Sequence, residues 1–255
     1  NQCGQDVLCE FTDGSSVNAN NCTCGSNTCS TSTGFFCVAE SNACLATPPA
    51  ACNIPTAGSH AFLRSSMCTL TSKVTIAAGT ALDLFSASGS GNMAIISGGS
   101  TTQLFYVSSG NLTITDLILE HGKSGYGGAL YAKATSTTSA RVHLRRSLVR
   151  GCEATSWGGA AYVKVGAVLV LEESVLELNV AGKRGGGVFA NSGAQIEVIG
   201  GRTSVVKNNE AKGVGYGGGF YLQNEGTRLD VIDTQSRLDV SDNTAQEKNG
   251  GGVAI

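Results

Sequence analysis

The chain has 255 residues, a formal net charge of -2 and only 14% charged residues. It lacks the basic excess that neutralises phosphates, which argues against a nucleic-acid partner, and no apolar run approaches the roughly 20 residues needed to cross a bilayer. Glycine supplies 35 residues, about twice its ordinary usage, beside 3 prolines and 41% hydrophobic content, which suits short apolar strands between tight turns and not disorder.

The first 52 residues are rich in Ser, Thr, Asn and Cys and show little apolar periodicity. Such a segment buries too little core to hold itself, so bridges are expected. The disulfide candidates are Cys3, Cys9, Cys22, Cys24, Cys29, Cys37, Cys44, Cys52 and Cys68. Their close spacing reads as an oxidising, extracellular compartment. Zinc is the weaker reading, because Cys22 and Cys24 are too close for the usual ligand spacing and His60 is the only nearby histidine. Nine is an odd number, so one of these thiols needs a partner elsewhere or stays reduced. The sequons at Asn21 and Asn111 are glycosylation candidates. Every proline lies in 47–55, a stiff boundary. The expected organisation is a disulfide-stapled module over 1–52 and a repeat domain over 53–255. The repeat domain is expected to continue beyond the chain or to be covered by another subunit, since ending at Ile255 leaves a bare strand edge.

From residue 56 the texture changes to short β-prone runs such as Gln103–Val107 and Asn111–Leu119, with no helical period. A double glycine followed by small or apolar residues recurs at Gly128, Gly159, Gly186, Gly218 and Gly251, at offsets of 31, 27, 32 and 33 residues. A second motif, apolar-x-x-Asn-x-Ala, precedes the later copies at Asn179, Asn209 and Asn243; Cys152 and Gly122 fill the same slot earlier. Three strands per repeat of about 30 residues and no helix mark a β-solenoid. The expected fold is all-β: a right-handed parallel β-helix of roughly six coils behind a small disulfide-rich cap. Its counterparts stack about 4.8 Å apart. Stacked asparagines then pass hydrogen bonds from coil to coil, and Cys152 fits that interior ladder as a buried free thiol.

The paired motifs, apolar-x-x-Asn and Gly-Gly-Ala-apolar, resemble the repeats of the polymorphic outer membrane proteins over about residues 110–255. The resemblance implies a surface-exposed, adhesin-like right-handed β-helix. The Cys22-Thr-Cys-Gly to Asn42-Ala-Cys44 pattern is similar to cysteine-rich segments of large algal surface proteins. The chain departs from the bacterial motif at Gly122 and Cys152, and Leu or Val stands where that motif has an aromatic.

Counting back from the special slot gives two charged rows. Two residues back stand Glu120, Arg150, Glu177, Lys207 and Ser241; six back stand Asp116, Arg146, Glu173, Thr203 and Arg237. Alternating signs at the coil spacing attract, so both rows read as ion-pair ladders that set register. Glu173 and Glu177 as a catalytic carboxylate pair is the sharper alternative, disfavoured because each has a basic neighbour. The aromatics Tyr131, Tyr162, Phe189 and Tyr221 form one expected stack. Tyr126, Trp157, Arg184 and Tyr216 form a second row in the turns, with Arg184 expected between Trp157 and Tyr216 as a cation–π sandwich. That row is the candidate contact for glycan or partner protein.

The expected function is an extracellular structural or adhesive building block of a surface layer, filament or appendage. Its partners would be other copies or other surface proteins, and glycans through the aromatic row. The alternative is a carbohydrate-binding module. A polysaccharide lyase or glycosidase is third, since no acidic cluster, nucleophile elbow or phosphate loop is present. No catalytic residue, metal or cofactor is expected.

Overall fold

A computed structural model describes residues 52–255, apart from 136, 137, 214 and 247–249, together with the backbone of four short strands upstream. Those four form two antiparallel pairs: Cys22–Cys24 with Asn27–Cys29, and Phe36–Val38 with Ala43–Leu45. Cys22 lies opposite Cys29 and Cys37 opposite Cys44 along the backbone. The bridges expected of Cys3, Cys9, Cys22, Cys24, Cys29, Cys37 and Cys44, and the sequon at Asn21, fall outside the described side chains. Cys52 and Cys68 are bonded to each other. The bond fixes residue 52 to the strand Met67–Thr69 and lets buried Ile54 cover the end of the core.

The rest is a parallel β-solenoid, as the repeat period predicts. Three seven-stranded sheets run the length of the stack. The first holds Val74–Ile76, Phe105–Ser108, Leu130–Lys133, Ala161–Lys164, Val188–Asn191, Phe220–Gln223 and Val253–Ala254, the last five of which follow the double glycine. The second runs from Gly58–Phe62 to Arg228–Val231 and the third from Met67–Thr69 to Arg237–Ser241. A fourth sheet of five short strands, Lys123–Tyr126 to Thr244–Ala245, lines the turn back to the first. It adds a short strand to the three expected per coil. No helix forms among the described residues, so none there is long and apolar enough to cross a membrane.

Period-two alternation builds each strand. In Ala81–Ser86 the pattern of exposure puts Leu82 and Leu84 inside and Ala81, Asp83 and Phe85 outside, as a half-buried strand requires. The inward rows fuse into one core that includes Ile76, Leu112, Leu144, Leu171 and Val198.

The double glycine has two distinct jobs, visible at Gly158 and Gly159. Gly158 turns with φ of 68°, a left-handed geometry open to glycine. A Cβ on Gly159 would collide with the carbonyl oxygen of Gly186 in the next coil, so the coils stack there backbone on backbone. The corners into and out of the third sheet are different. Beside glycines such as Gly201 and Gly151, they use left-handed residues that are not glycine: Asp116, Arg146 and Glu173 at one, His121, Leu178, Asn208 and Asp242 at the other. Such residues cost roughly 1–2 kcal/mol each relative to ordinary backbone. The coil-to-coil bonds at these corners, such as Asp116 N–H to Arg145 O and Arg146 N–H to Glu172 O, offset that cost.

Candidate functional site

The special slot forms the ladder the repeats imply. The Oδ1 of Asn209 accepts from the backbone N–H of Asn179 at 3.0 Å and from its Nδ2 at 2.9 Å. Asn243 does the same for Asn209. Asn179 Nδ2 also donates to Val149 O, one coil back. Cys152 continues the series: its N–H donates to Asn179 Oδ1, and its Sγ lies 3.4 Å from the N–H of Gly122 and 3.3 Å from Arg150 O. Burial pushes its thiol pKa up to about 12. It is a packed residue of the interior, not a nucleophile.

Both charged rows take the expected register. Glu120, Arg150, Glu177 and Lys207 are successive partners. Arg150 reaches Glu120 at 2.7 Å and Lys207 reaches Glu177 at 3.3 Å. Glu120 is almost wholly buried although it points away from the core. Burial alone would raise its carboxyl pKa; bonds from His121 and Arg150 outweigh that and hold it below the usual range. In the other row Arg146 grips both oxygens of Asp116 at 2.8 Å, and Glu173 faces Arg202 at 4.0 Å. Glu173 and Glu177 are thus each engaged with a cation. On the second sheet, Arg145 and His143 converge on Glu172 at 3.0 and 2.8 Å. Burial draws the His143 pKa down, and the Glu172 carboxylate only partly restores it.

The two aromatic rows meet on the outer face of the first sheet. Tyr106, Tyr131, Tyr162, Phe189 and Tyr221 are register partners. Tyr131 and Tyr162 stack with centroids 4.9 Å apart. The turn row folds over this column and also keeps its expected register, Tyr126 to Trp157 to Arg184 to Tyr216. The sandwich around Arg184 is not built as expected. Its guanidinium lies over Tyr216 at 5.5 Å and Tyr221 at 5.4 Å. The Trp157 indole leans inward and stacks on Phe189, 5.2 Å away and 17° from parallel. The reason is room: Phe189, unlike Arg184, offers Trp157 a flat apolar face. Ring faces in this cluster are turned on one another. Tyr126, 43% exposed, is its most open ring among the large apolar side chains.

Sequence reasoning passed over two structural features. Ser147, Ser174 and Ser204 form a second interior ladder, each hydroxyl accepting from a backbone N–H one coil back: Leu117 N, Ser147 N and Ser174 N. The signal was available, since each serine stands five residues before the special slot. Gln103 caps the open start of the fourth sheet, donating to Tyr126 O and Gly127 O at 2.7 and 2.6 Å; nothing in the repeat marks it. Asn111 is exposed at a corner, on a shallow depression of about 330 Å³ lined by Thr80, Ser109 and Thr138. Compared with family models, curated proteins and solved structures, the chain matches none of them.

Proposed function

We propose that this chain is an extracellular structural or adhesive building block of a surface layer, filament or appendage, and not a catalyst. The reading keeps the adhesin-like character suggested by the repeat motifs. One observation carries it: among the described residues, the asparagines of the special slot, the serines of the second ladder and the carboxylates of the two charged rows are engaged with groups in adjacent coils. Asn179, Asn209 and Asn243 bond one another, Ser147, Ser174 and Ser204 bond the backbone of the preceding coil, and the carboxylates of both rows face cations. A rod whose interior ladders are bonded coil by coil is a stiff spacer. The experiment is electron microscopy of native-source material, with gel mobility measured with and without reductant. Ordered filaments, or a large species that reductant collapses, support the assembly. A particle of single-chain mass under both conditions contradicts it.

A second reading, a carbohydrate-binding module, is favoured by the exposed edge of Tyr126. Replacing Trp157 and Tyr216 together by Ala abolishes glycan binding if the turn row is the contact. Unchanged binding removes that row from consideration.

A further inference from the structure

The sequon Asn111-Leu112-Thr113 opens the strand Asn111–Thr115 of the second sheet, where Leu112 and Ile114 point inward and Asn111 and Thr113 outward. Asn111 is exposed, and its side-chain amide bonds to no group among the described residues. Its backbone N–H is tied to Thr80 O in the preceding coil. There is room along the axis on both sides. The partner in the preceding coil is Ala81, a single methyl; the partner in the next is Arg141, whose guanidinium reaches onward to Glu197 at 2.9 Å, away from Asn111. The shallow depression of about 330 Å³ beside the amide is walled by Gly79, Thr80, Thr138 and Ser139. A methyl added to Gly79 would meet nothing within 4 Å. The other asparagines differ. Asn179, Asn209 and Asn243 are bonded in the interior ladder, and two positions on each has an alanine, Ala181, Ala211 and Ala245. Buried Asn191 has Gly193 there. Among the described residues, Asn111 alone has Ser or Thr at that position. The acceptor motif is thus absent from slots where a sugar would break the core and present where the folded surface has room.

We propose that Asn111 carries an N-linked oligosaccharide whose first sugar sits over this depression. The inference rests on the extracellular part of the function proposed above, because the donor, a polyprenyl pyrophosphate-linked oligosaccharide, belongs to the export route. In the transfer, the Asn111 Nδ2 bonds to the anomeric carbon of the first sugar as the bond from that carbon to the pyrophosphate oxygen breaks. Polyprenyl pyrophosphate leaves, one amide proton passes to a base, and no oxidant or reductant is needed. In the folded chain Asn111–Thr115 is extended and paired with a strand on each side, so the transfer precedes closure of this coil. After folding, the sugar stands outside the second sheet and its bulk covers the corner.

The test is mass spectrometry of peptides from the chain purified from its native source, with thiols and disulfides labelled differently. One portion is first treated with peptide N-glycosidase in heavy-oxygen water. The expected result is an oligosaccharide on the peptide that holds Asn111, replaced after the enzyme by an aspartate bearing heavy oxygen. A bare Asn111 overturns the site. The state of Cys52 and Cys68 then separates the two readings: a bare Asn111 with these cysteines bonded leaves the extracellular reading standing, whereas free thiols overturn both. Secreted from a host that performs this transfer, the unaltered full chain gains the oligosaccharide at Asn111, and Asn111→Gln and Thr113→Ala each lose it. A glycan that persists at this site in Thr113→Ala, or a bare Asn111 in the unaltered chain, overturns the assignment. The glycosylated chain is expected to melt at the same temperature as Asn111→Gln or above it. A higher melting temperature in Asn111→Gln would mean that the sugar strains the corner, and overturns its placement over the depression.

Discussion

Cys152 shows how much a single slot can tell. Its place in the asparagine series was legible from spacing alone, and the structure puts its Sγ where an amide oxygen stands in the neighbouring coils. Its thiol pKa of about 12 and complete burial predict no labelling by a maleimide in the folded protein and rapid labelling once denatured; native-state labelling would show that the slot is open. Cys152→Asn is expected to stabilise by about 1 kcal/mol in chemical denaturation, because a full amide acceptor replaces a weak sulfur one. The titration also has a sign. Cys152 and Tyr131 both have folded pKa values raised to about 12, from 9.0 and 10.0. Their contribution is fully present below pH 9 and is lost as pH rises from about 9 to 12, where the unfolded chain releases protons first. Stability measured across that window falls, and the fall begins later in Cys152→Ala. At Glu120 the stakes are steric and electrostatic together. Arg150→Met strands a buried carboxylate and costs about 3 kcal/mol, and adding Glu120→Gln recovers part of that loss. Equal stability of the single and double variants would show that Arg150 does not neutralise Glu120.

At the scale of the element, strands and coil register were readable because burial alternates with period two and the double glycine recurs. The corners were less readable. Turn prediction looks for Gly, Pro, Asn and Asp, yet Arg146, Glu173 and Leu178 hold left-handed backbone. Those conformations are imposed by bonds to the next coil, which no local window contains. The Trp157 ring was misplaced for a related reason: spacing gives a row, but the ring chooses among neighbours on two rows and settles on Phe189. Two glycines separate the kinds of turn. Gly159→Ala drives a methyl into the Gly186 carbonyl and is expected to cost about 3 kcal/mol. Gly166→Ala meets open space and pays only for its φ of 66°, about 1 kcal/mol. Equal melting temperatures for the two variants would contradict backbone-on-backbone stacking at the double glycine.

Across the whole molecule, stability is shared between neighbouring coils, because each coil buries its core rows and satisfies its ladders only against the next. The central coils have neighbours on both sides. In the strand Arg228–Val231, Val231 is exposed and Leu229 only half-buried, where their register partners Val198 and Ile196 are fully buried. Local opening therefore spreads inward from the ends. Native-state hydrogen exchange, followed by NMR on the backbone and on the asparagine side chains, tests this account most directly. Protection is expected to peak around Ala161–Lys164 and Val188–Asn191 and to decline toward both ends of the stack. The side-chain amides of Asn179 and Asn209 should exchange slowly with their strands, while the exposed Asn111 exchanges at once. Rapid exchange at Asn179 and Asn209, with protection flat along the chain, would contradict a solenoid held together by its ladders.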